Sequence, residues 1–196
     1  MNFLELIQSN RPLVSDGAMG TILHQRGIRF DDCFDGLNLS SPDLVAEIHH
    51  AYIEAGADII QTNTFGANRY KLARHGLENS VDAVNQAGVD VARRAATASH
   101  RPVLVAGDIG PLGVRLAPFG RVQPEEARAA FNEQILALAE AEPDLLIIET
   151  MTDLHEVREA IHAARVAAPH LAVVASMTFT RDDRTLLGDS PARVAR

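Results

Sequence analysis

Tryptophan is absent from the 196-residue sequence, and two tyrosines and seven phenylalanines bring the aromatic share to only 5%. There is a single cysteine, Cys33. One thiol makes neither an internal disulfide nor a thiolate metal cage, and such economy suits a reducing cytosol. Positive charge is the scarcer sign, with 18 Lys and Arg against 26 Asp and Glu, a net charge of -8. That balance repels phosphate backbones and anionic headgroups, which argues against electrostatic binding to nucleic acid or membrane surfaces. No run approaches the ~20 apolar residues of a membrane span. The amino-terminal MNFLELIQSN carries acidic Glu5 and lacks the basic start and long apolar stretch of a signal peptide. What is present, 46% apolar and 22% charged residues, is ordinary for one globular domain.

Five short aliphatic runs read as strands: Leu13–Ser15, Asp58–Thr62, Val103–Ala106, Leu145–Glu149 and Val173–Met177. Their apolarity is continuous rather than alternating, as in strands buried on both faces of a parallel sheet. Helical patterns separate them. Ser41-Pro42 opens a helix to about Glu54 with Leu44, Val45, Ile48, Tyr52 and Ile53 at helical spacing. Ser80 caps the next, to about Ala98, burying Val84, Val91 and Ala95. Pro124, with Glu125 and Glu126 at the positive dipole end, starts a third bearing Phe131, Ile135 and Leu138. Thr152 or Asp153 caps a fourth with Leu154, Val157, Ile161 and Val166, ended by Pro169, and a fifth begins at Ser190-Pro191.

Strand starts at Val14, Asp58, Val103, Leu145 and Val173 are 44, 45, 42 and 28 residues apart. A strand with a returning helix at this repeat fits a doubly wound sheet or a (β/α)8 barrel. Two observations favour the barrel. Asp16-Gly17-Ala18-Met19-Gly20 has the wrong spacing for a G-x-G-x-x-G dinucleotide loop. Polar residues also recur at every strand's carboxyl end: Asp16, Gln61 to Thr64, Asp108, Glu149 to Thr150, and Ser176 to Thr178. That pattern suits an active site built from several βα loops around one mouth. Eight such units need roughly 300 residues, so the chain reads as one domain, 1–196, holding about the first five βα units of a barrel incomplete at its carboxyl end. Open edges at the Val14 and Val173 strands would cost Ile60, Val105 and Ile147 part of their cover.

Among candidate chemical groups, Asp16-Gly17 joins a carboxylate to a backbone open to an anion, which suits the two charged ends of an amino acid, although a plain Asp-Gly turn explains it equally. Glu149 closes a wholly aliphatic strand, where a carboxylate is costly without a partner. Gln61 to Gly66, including Asn63 and Thr64, offers neutral donors and acceptors that are also ordinary turn chemistry. Gly107 to Gly113 reads as a shaped glycine-rich loop after the third strand; Asp108 would repel a phosphate there. The eight histidines form no metal signature and read mostly as surface residues. Cys33, among acidic neighbours that raise a thiol pKa, is a poor nucleophile.

Asp16-Gly17-Ala18-Met19-Gly20-Thr21, Gly56 to Phe65, Ala106 to Gly113, Ile148-Glu149-Thr150-Met151, and Ser176 to Phe179 with Gly188-Asp189-Ser190-Pro191 together resemble the homocysteine S-methyltransferase family, in family order across nearly the whole chain. The first two stretches look most like methionine synthases and like bacterial fusions with a methylenetetrahydrofolate reductase; Ala18 stands where the betaine enzymes tend to have a glycine. The resemblance implies a (β/α)8 barrel transferring a methyl group to homocysteine in the cytoplasm. It implies that Gly17 and Ala18 hold the substrate carboxylate and that Asp16 and Glu149 hold its ammonium; Asn63 and Thr64, polar residues at the second strand's end, are further candidate substrate contacts.

It also implies zinc, which converts the thiol to a thiolate, held by three cysteines that map beyond Arg196 and not to Cys33. The methyl carrier it implies is cobalamin or a folate, with S-methylmethionine and S-adenosylmethionine also used by relatives, and the implied partner is a fused reductase or cobalamin module. Two rival readings stand beside it. One is a catalytically inert, amino-acid-binding half barrel, and the other is a different barrel enzyme with a pterin or phosphate ligand.

Overall fold

The computed structural model describes residues 3–9 and 11–196; Met1, Asn2 and Asn10 of the amino-terminal stretch read above lie outside the described residues. Four parallel strands, β1 (Ile59–Gln61), β2 (Leu104–Ile109), β3 (Leu145–Met151) and β4 (Ala172–Met177), pair in the order β1-β2-β3-β4. Parallel neighbours in chain order require crossovers, and α6 (Val81–Thr97), α7 (Pro124–Glu140) and α8 (Leu154–Ala167) provide them. Before β1 come α1 (Phe3–Ile7), α2 (Met19–Gln25), α3 (Leu37–Ser40) and α4 (Pro42–Ala55). The short α5 (Arg69–Leu72) follows β1, and α9 (Pro191–Val194) closes the series.

The long helices begin where the sequence signals them, by differing means. Asp153 accepts from the His155 amide. Gln123 and Glu126 form a reciprocal capping box that the sequence reading did not include. Ser41 and Ser80 stand at the expected N-cap positions without a side-chain capping bond, and Pro42 supplies the start of α4 by its fixed φ. The helix ends at Gly56, whose φ of +109° only glycine adopts freely. Val166, expected on the buried face of α8, is 66% exposed.

β2 is buried on both faces and β1 and β3 are largely so. On one, Phe131, Ile135 and Leu138 of α7 and Val157, Ala160 and Ala164 of α8 join Val105, Leu146 and Ile148 in the main core. On the other, Ile59, Leu104, Ala106 and Leu145 are covered in part by Phe3 and Leu6 of α1 and by Leu13. Each large side chain buried this way contributes about 1.5–3 kcal/mol. Ile60 and Val105 are fully buried, so the expected loss of cover does not reach them; Ile147 is only partly buried, and Ala175 and Ser176 on β4 are exposed.

Two strand expectations are corrected. Leu13–Ser15 is a single bridge, Ser15 to Ile59, with Val14 O accepting from the Asp58 and Ile59 amides. Gly107, Asp108 and Ile109 are not loop: they continue β2, paired with Leu146, Ile147 and Ile148, and the Asp108 amide also donates to Thr62 Oγ1 at 3.0 Å. Cross-strand pairing overrides the weak strand propensity of Gly and Asp. The loop begins at Gly110, where a Cβ would lie 2.4 Å from the Phe65 ring.

Candidate functional site

The carboxyl ends of the strands, and the segment after the Ser15 bridge, open on a cavity of about 450 Å³. Its lining includes Asp16, Gly17 and Ala18, then Gln61, Thr62 and Asn63, then Asp108, Glu149 and Thr150. Four of the five polar strand ends singled out in the sequence thus converge; Ser176 and Thr178, both exposed, do not line it. Met19, Phe34, Asp35 and Phe65 complete one wall. The Asp35 contribution has no sequence signal, because it follows the acidic run Asp31-Asp32 in a segment without periodicity.

Asp16 is held by β1. The Gln61 amide donates to its Oδ2 at 2.9 Å, and Gln61 Nε2 reaches Oδ1 at 3.4 Å. Burial nevertheless pushes its pKa up to about 6, against the pull of the Gln61 bonds and with the Glu149 charge adding to the rise. The next residues expose backbone: among the described residues, the Gly17 and Ala18 amides have no acceptor. Tyr52 packs beneath them, its hydroxyl donating to Ala18 O at 3.2 Å, and a Cβ on Gly17 would meet that hydroxyl at 3.0 Å.

Glu149 is turned by an irregularity in β3. The register with β4 slips between Ile148 and Met151, and Thr150 between them adopts a φ of +57°, unusual for a β-branched residue. Backbone strain of this kind is typical of functional sites, where surrounding structure over-determines it. The Glu149 carboxyl is raised by burial.

The neutral residues act in two ways. Asn63 lines the cavity while its Nδ2 donates to Phe34 O at 2.7 Å and Asn38 Oδ1 at 3.1 Å. Thr64 is fully buried and does not line it; its hydroxyl donates to Asp108 O at 2.7 Å, so the Thr62 hydroxyl must be the donor in their 2.6 Å contact. Thr64 therefore braces Asp108 from behind.

Asp108 is 6% exposed, and its Oδ1 is sealed without a hydrogen-bond donor; so is Gln61 Oε1. Burial raises the Asp108 carboxyl well above the ordinary range, and Glu149, Asp35 and Asp16 add to the rise while Lys71 opposes it. Lys71 is partly buried, with Nζ 4.2 Å over the Phe65 ring, and its charge also faces Asp35 and Glu156. The opposite end of β1 differs: there Asp58 is bound by Arg11 and Arg101. Asp58 is thus ion-paired, whereas Asp16, Asp35, Asp108 and Glu149 at the mouth have no ion pair among the described residues.

Two expectations about titratable groups meet the structure differently. Cys33 is half-buried, its thiol raised by burial and by Asp35. His49 is no surface residue: it is fully buried in α4, and neither ring nitrogen has a partner. Among the described residues, no group of three or more His, Cys, Asp or Glu side chains is placed to hold a metal ion, and no helix is long and apolar enough to cross a membrane.

Comparisons with known proteins agree with this architecture. The family model for homocysteine S-methyltransferase matches residues 13–196. Methionine synthases of Mycobacterium tuberculosis and Mycobacterium leprae are each 33% identical over 93% and 92% of the chain, which spans 16% of the length of either. The oxidized form of the homocysteine methyltransferase MmuM from Escherichia coli superposes with a TM-score of 0.85 at 27% identity, over 100% of this chain and 73% of that one. Its metallated form gives 0.80 at 28%, over 96% and 70%. A parallel α/β fold similar to a homocysteine methyltransferase, with a family match running nearly end to end, makes this chain a member of the homocysteine S-methyltransferase family.

Proposed function

We propose that the cavity binds homocysteine by its amino-acid end and that the protein transfers a methyl group to its thiol, giving methionine. The observation that carries this reading is the pairing, in one cavity, of two acceptor-free amides at Gly17 and Ala18 with carboxylates at Asp16 and Glu149. A zwitterion is complementary to that arrangement: its carboxylate takes the amides and its ammonium takes the acids. Asn63 shapes the wall, and Thr64 supports it from outside. A phosphate ligand is mismatched, since Asp16, Asp35, Asp108 and Glu149 all border the space.

In the transfer, the homocysteine sulfur forms a bond to the methyl carbon as the donor's bond to that carbon breaks, and the thiol proton leaves to solvent. The residues described here hold and orient the amino acid. The zinc implied by the family resemblance is not provided for by them, because Cys33 stands alone and no three-ligand cluster is present among the described residues, so no step is routed through a metal. We further infer that the four-stranded sheet belongs to a (β/α)8 barrel, supported by the likeness to MmuM, and that the protein works in the cytoplasm. A cobalamin or folate methyl carrier, delivered by a fused module, is compatible with the methionine synthase relatives.

The test is formation of methionine from L-homocysteine with S-methylmethionine, S-adenosylmethionine, methylcobalamin or a methylated folate as donor. Methionine above the no-enzyme rate with at least one donor is expected. No product with any, in protein shown to be folded, would overturn the reading.

A further inference from the structure

Four carboxylates, Asp16, Asp35, Asp108 and Glu149, border the cavity, and the charge of Lys71 acts on two of them, Asp35 and Asp108, as well as on Glu156. Three of the four have an evident purpose or partner. Asp16 accepts from Gln61, Asp35 Oδ1 accepts from the Gly66 amide at 2.7 Å, and Glu149 is only partly buried beside Thr150. Asp108 differs. Its backbone is fixed on both sides by Thr62 and Thr64, yet its Oδ1 is sealed from solvent with no donor, and Gln61 Oε1 in the same lining is an equally unsatisfied acceptor. An ionised carboxylate cannot rest there without a donor, because an isolated buried charge is costly. Asp108 borders the cavity and its Oδ1 has no donor, so a group that brings protons and positive charge into the cavity would favour its ionised form.

We propose that Asp108 is a third ammonium-binding residue, which carries a proton while the cavity is empty and releases it to solvent when the substrate's ammonium enters. The step balances: the carboxylic acid of Asp108 becomes a carboxylate, one proton leaves to bulk water, and the ammonium keeps its three protons and its charge. No bond to carbon or sulfur changes. Asp16, Asp35 and Glu149 disfavour a further negative charge in the empty cavity, Lys71 opposes them weakly from its place over Phe65, and the incoming ammonium reverses the balance. This rests on the amino-acid reading of the cavity, and it adds that affinity is linked to pH through a residue that Thr64 and Thr62 hold in place.

The test is titration calorimetry of the protein with L-homocysteine at neutral pH in two buffers of different ionisation enthalpy, which gives the number of protons exchanged. The same titration with 4-mercaptobutyrate, which has the thiol and carboxylate but no amine, gives the contribution of the thiol. Wild-type protein is expected to release up to about one more proton with homocysteine than with 4-mercaptobutyrate. Asp108→Asn is expected to lose that extra proton, to bind homocysteine at least about tenfold more weakly, as for one charge-assisted hydrogen bond, and to bind 4-mercaptobutyrate as the wild type does. Equal proton release by wild type and variant, no extra proton in the wild type, or unchanged homocysteine affinity in the variant would overturn the role of Asp108 while leaving the cavity's ligand in place. Loss of both ligands by the variant would make Asp108 structural and would equally overturn it. Failure of wild-type protein to bind homocysteine at all would instead remove the amino-acid reading itself.

Discussion

The Asp16 carboxylate sits at the carboxyl end of β1, taking the Gln61 amide on one oxygen at 2.9 Å and the Gln61 side-chain amide on the other at 3.4 Å. Even so its pKa stands at about 6, because burial outweighs these bonds. Below that pH the group is neutral and a poorer partner for an ammonium. Homocysteine affinity is therefore expected to fall as pH drops through 6, and Asp16→Asn, already neutral, should lack the contribution that this titration makes. Stability runs the other way. A carboxyl whose folded pKa is raised contributes stability that is present below its unfolded pKa, 3.8, and is lost as pH rises through about 6. Calorimetric titrations from pH 5 to 8 check the first point, and a wild-type affinity independent of pH in that range would contradict it.

His49 gives the opposite sign. Burial with no hydrogen-bond partner, together with the charge of His50, depresses its pKa from 6.5 to about 4. The unfolded chain thus takes up a proton that the folded chain refuses. Stability is fully present above pH 6.5 and is lost as pH falls toward 4, by about 1.4 kcal/mol per unit and about 3 kcal/mol in all. His49→Leu, which removes both orphaned nitrogens, should melt higher than wild type by a margin that widens from pH 7 to pH 4.5. A constant margin in thermal melts would show that His49 does not titrate in this way.

Gly110 is the point at which the loop after β2 passes the loop after β1. Its amide donates to Phe65 O at 3.1 Å, and a Cβ would fall 2.4 Å from Phe65 Cε2 and 2.6 Å from Phe65 O. Gly110→Ala should cost about 1–3 kcal/mol, typical of overpacking, and should weaken ligand binding by shifting the wall that carries Asn63 and Phe65. Denaturant unfolding measures the cost; an unchanged midpoint would mean that the two loops part freely.

Much of this was legible beforehand. Leu145 to Ile148 and Val103 to Ala106 announce buried strands because neither face meets water, and Pro42, Pro124 and Pro191 mark helix starts because their φ is already helical. Asp16 and Glu149 stood out as acids at the ends of apolar runs. Other features depend on tertiary contacts. Gly107 to Ile109 is strand only because Leu146 to Ile148 and Thr62 Oγ1 pair with it, and the turn at Thr150 that aims Glu149 comes from a register slip against β4. His49 shares the inward helical face of Val45, Ile48, Tyr52 and Ile53, a position that its polarity concealed, and Thr64, polar and beside the cavity, commits its hydroxyl to Asp108 O.

The 196-residue chain is expected to bind no stoichiometric zinc, since Cys33 is its only thiol and no three-ligand cluster forms among the described residues. Elemental analysis of purified, folded chain decides this. One tightly held equivalent would show that these residues contain a metal site after all.

The central claim is that the acid-lined cavity takes the amino-acid end of homocysteine, and calorimetric titration of L-homocysteine into wild-type protein and Glu149→Gln tests it most directly. Removing the charge on Glu149 while keeping its shape should cost about 1.5–3 kcal/mol of binding, roughly ten- to a hundredfold in affinity. The melting temperature should not fall, because the Glu149 carboxyl is raised by its own burial. Wild-type affinity for homocysteine in the folded Glu149→Gln variant would contradict the claim and return Glu149 to an ordinary strand end.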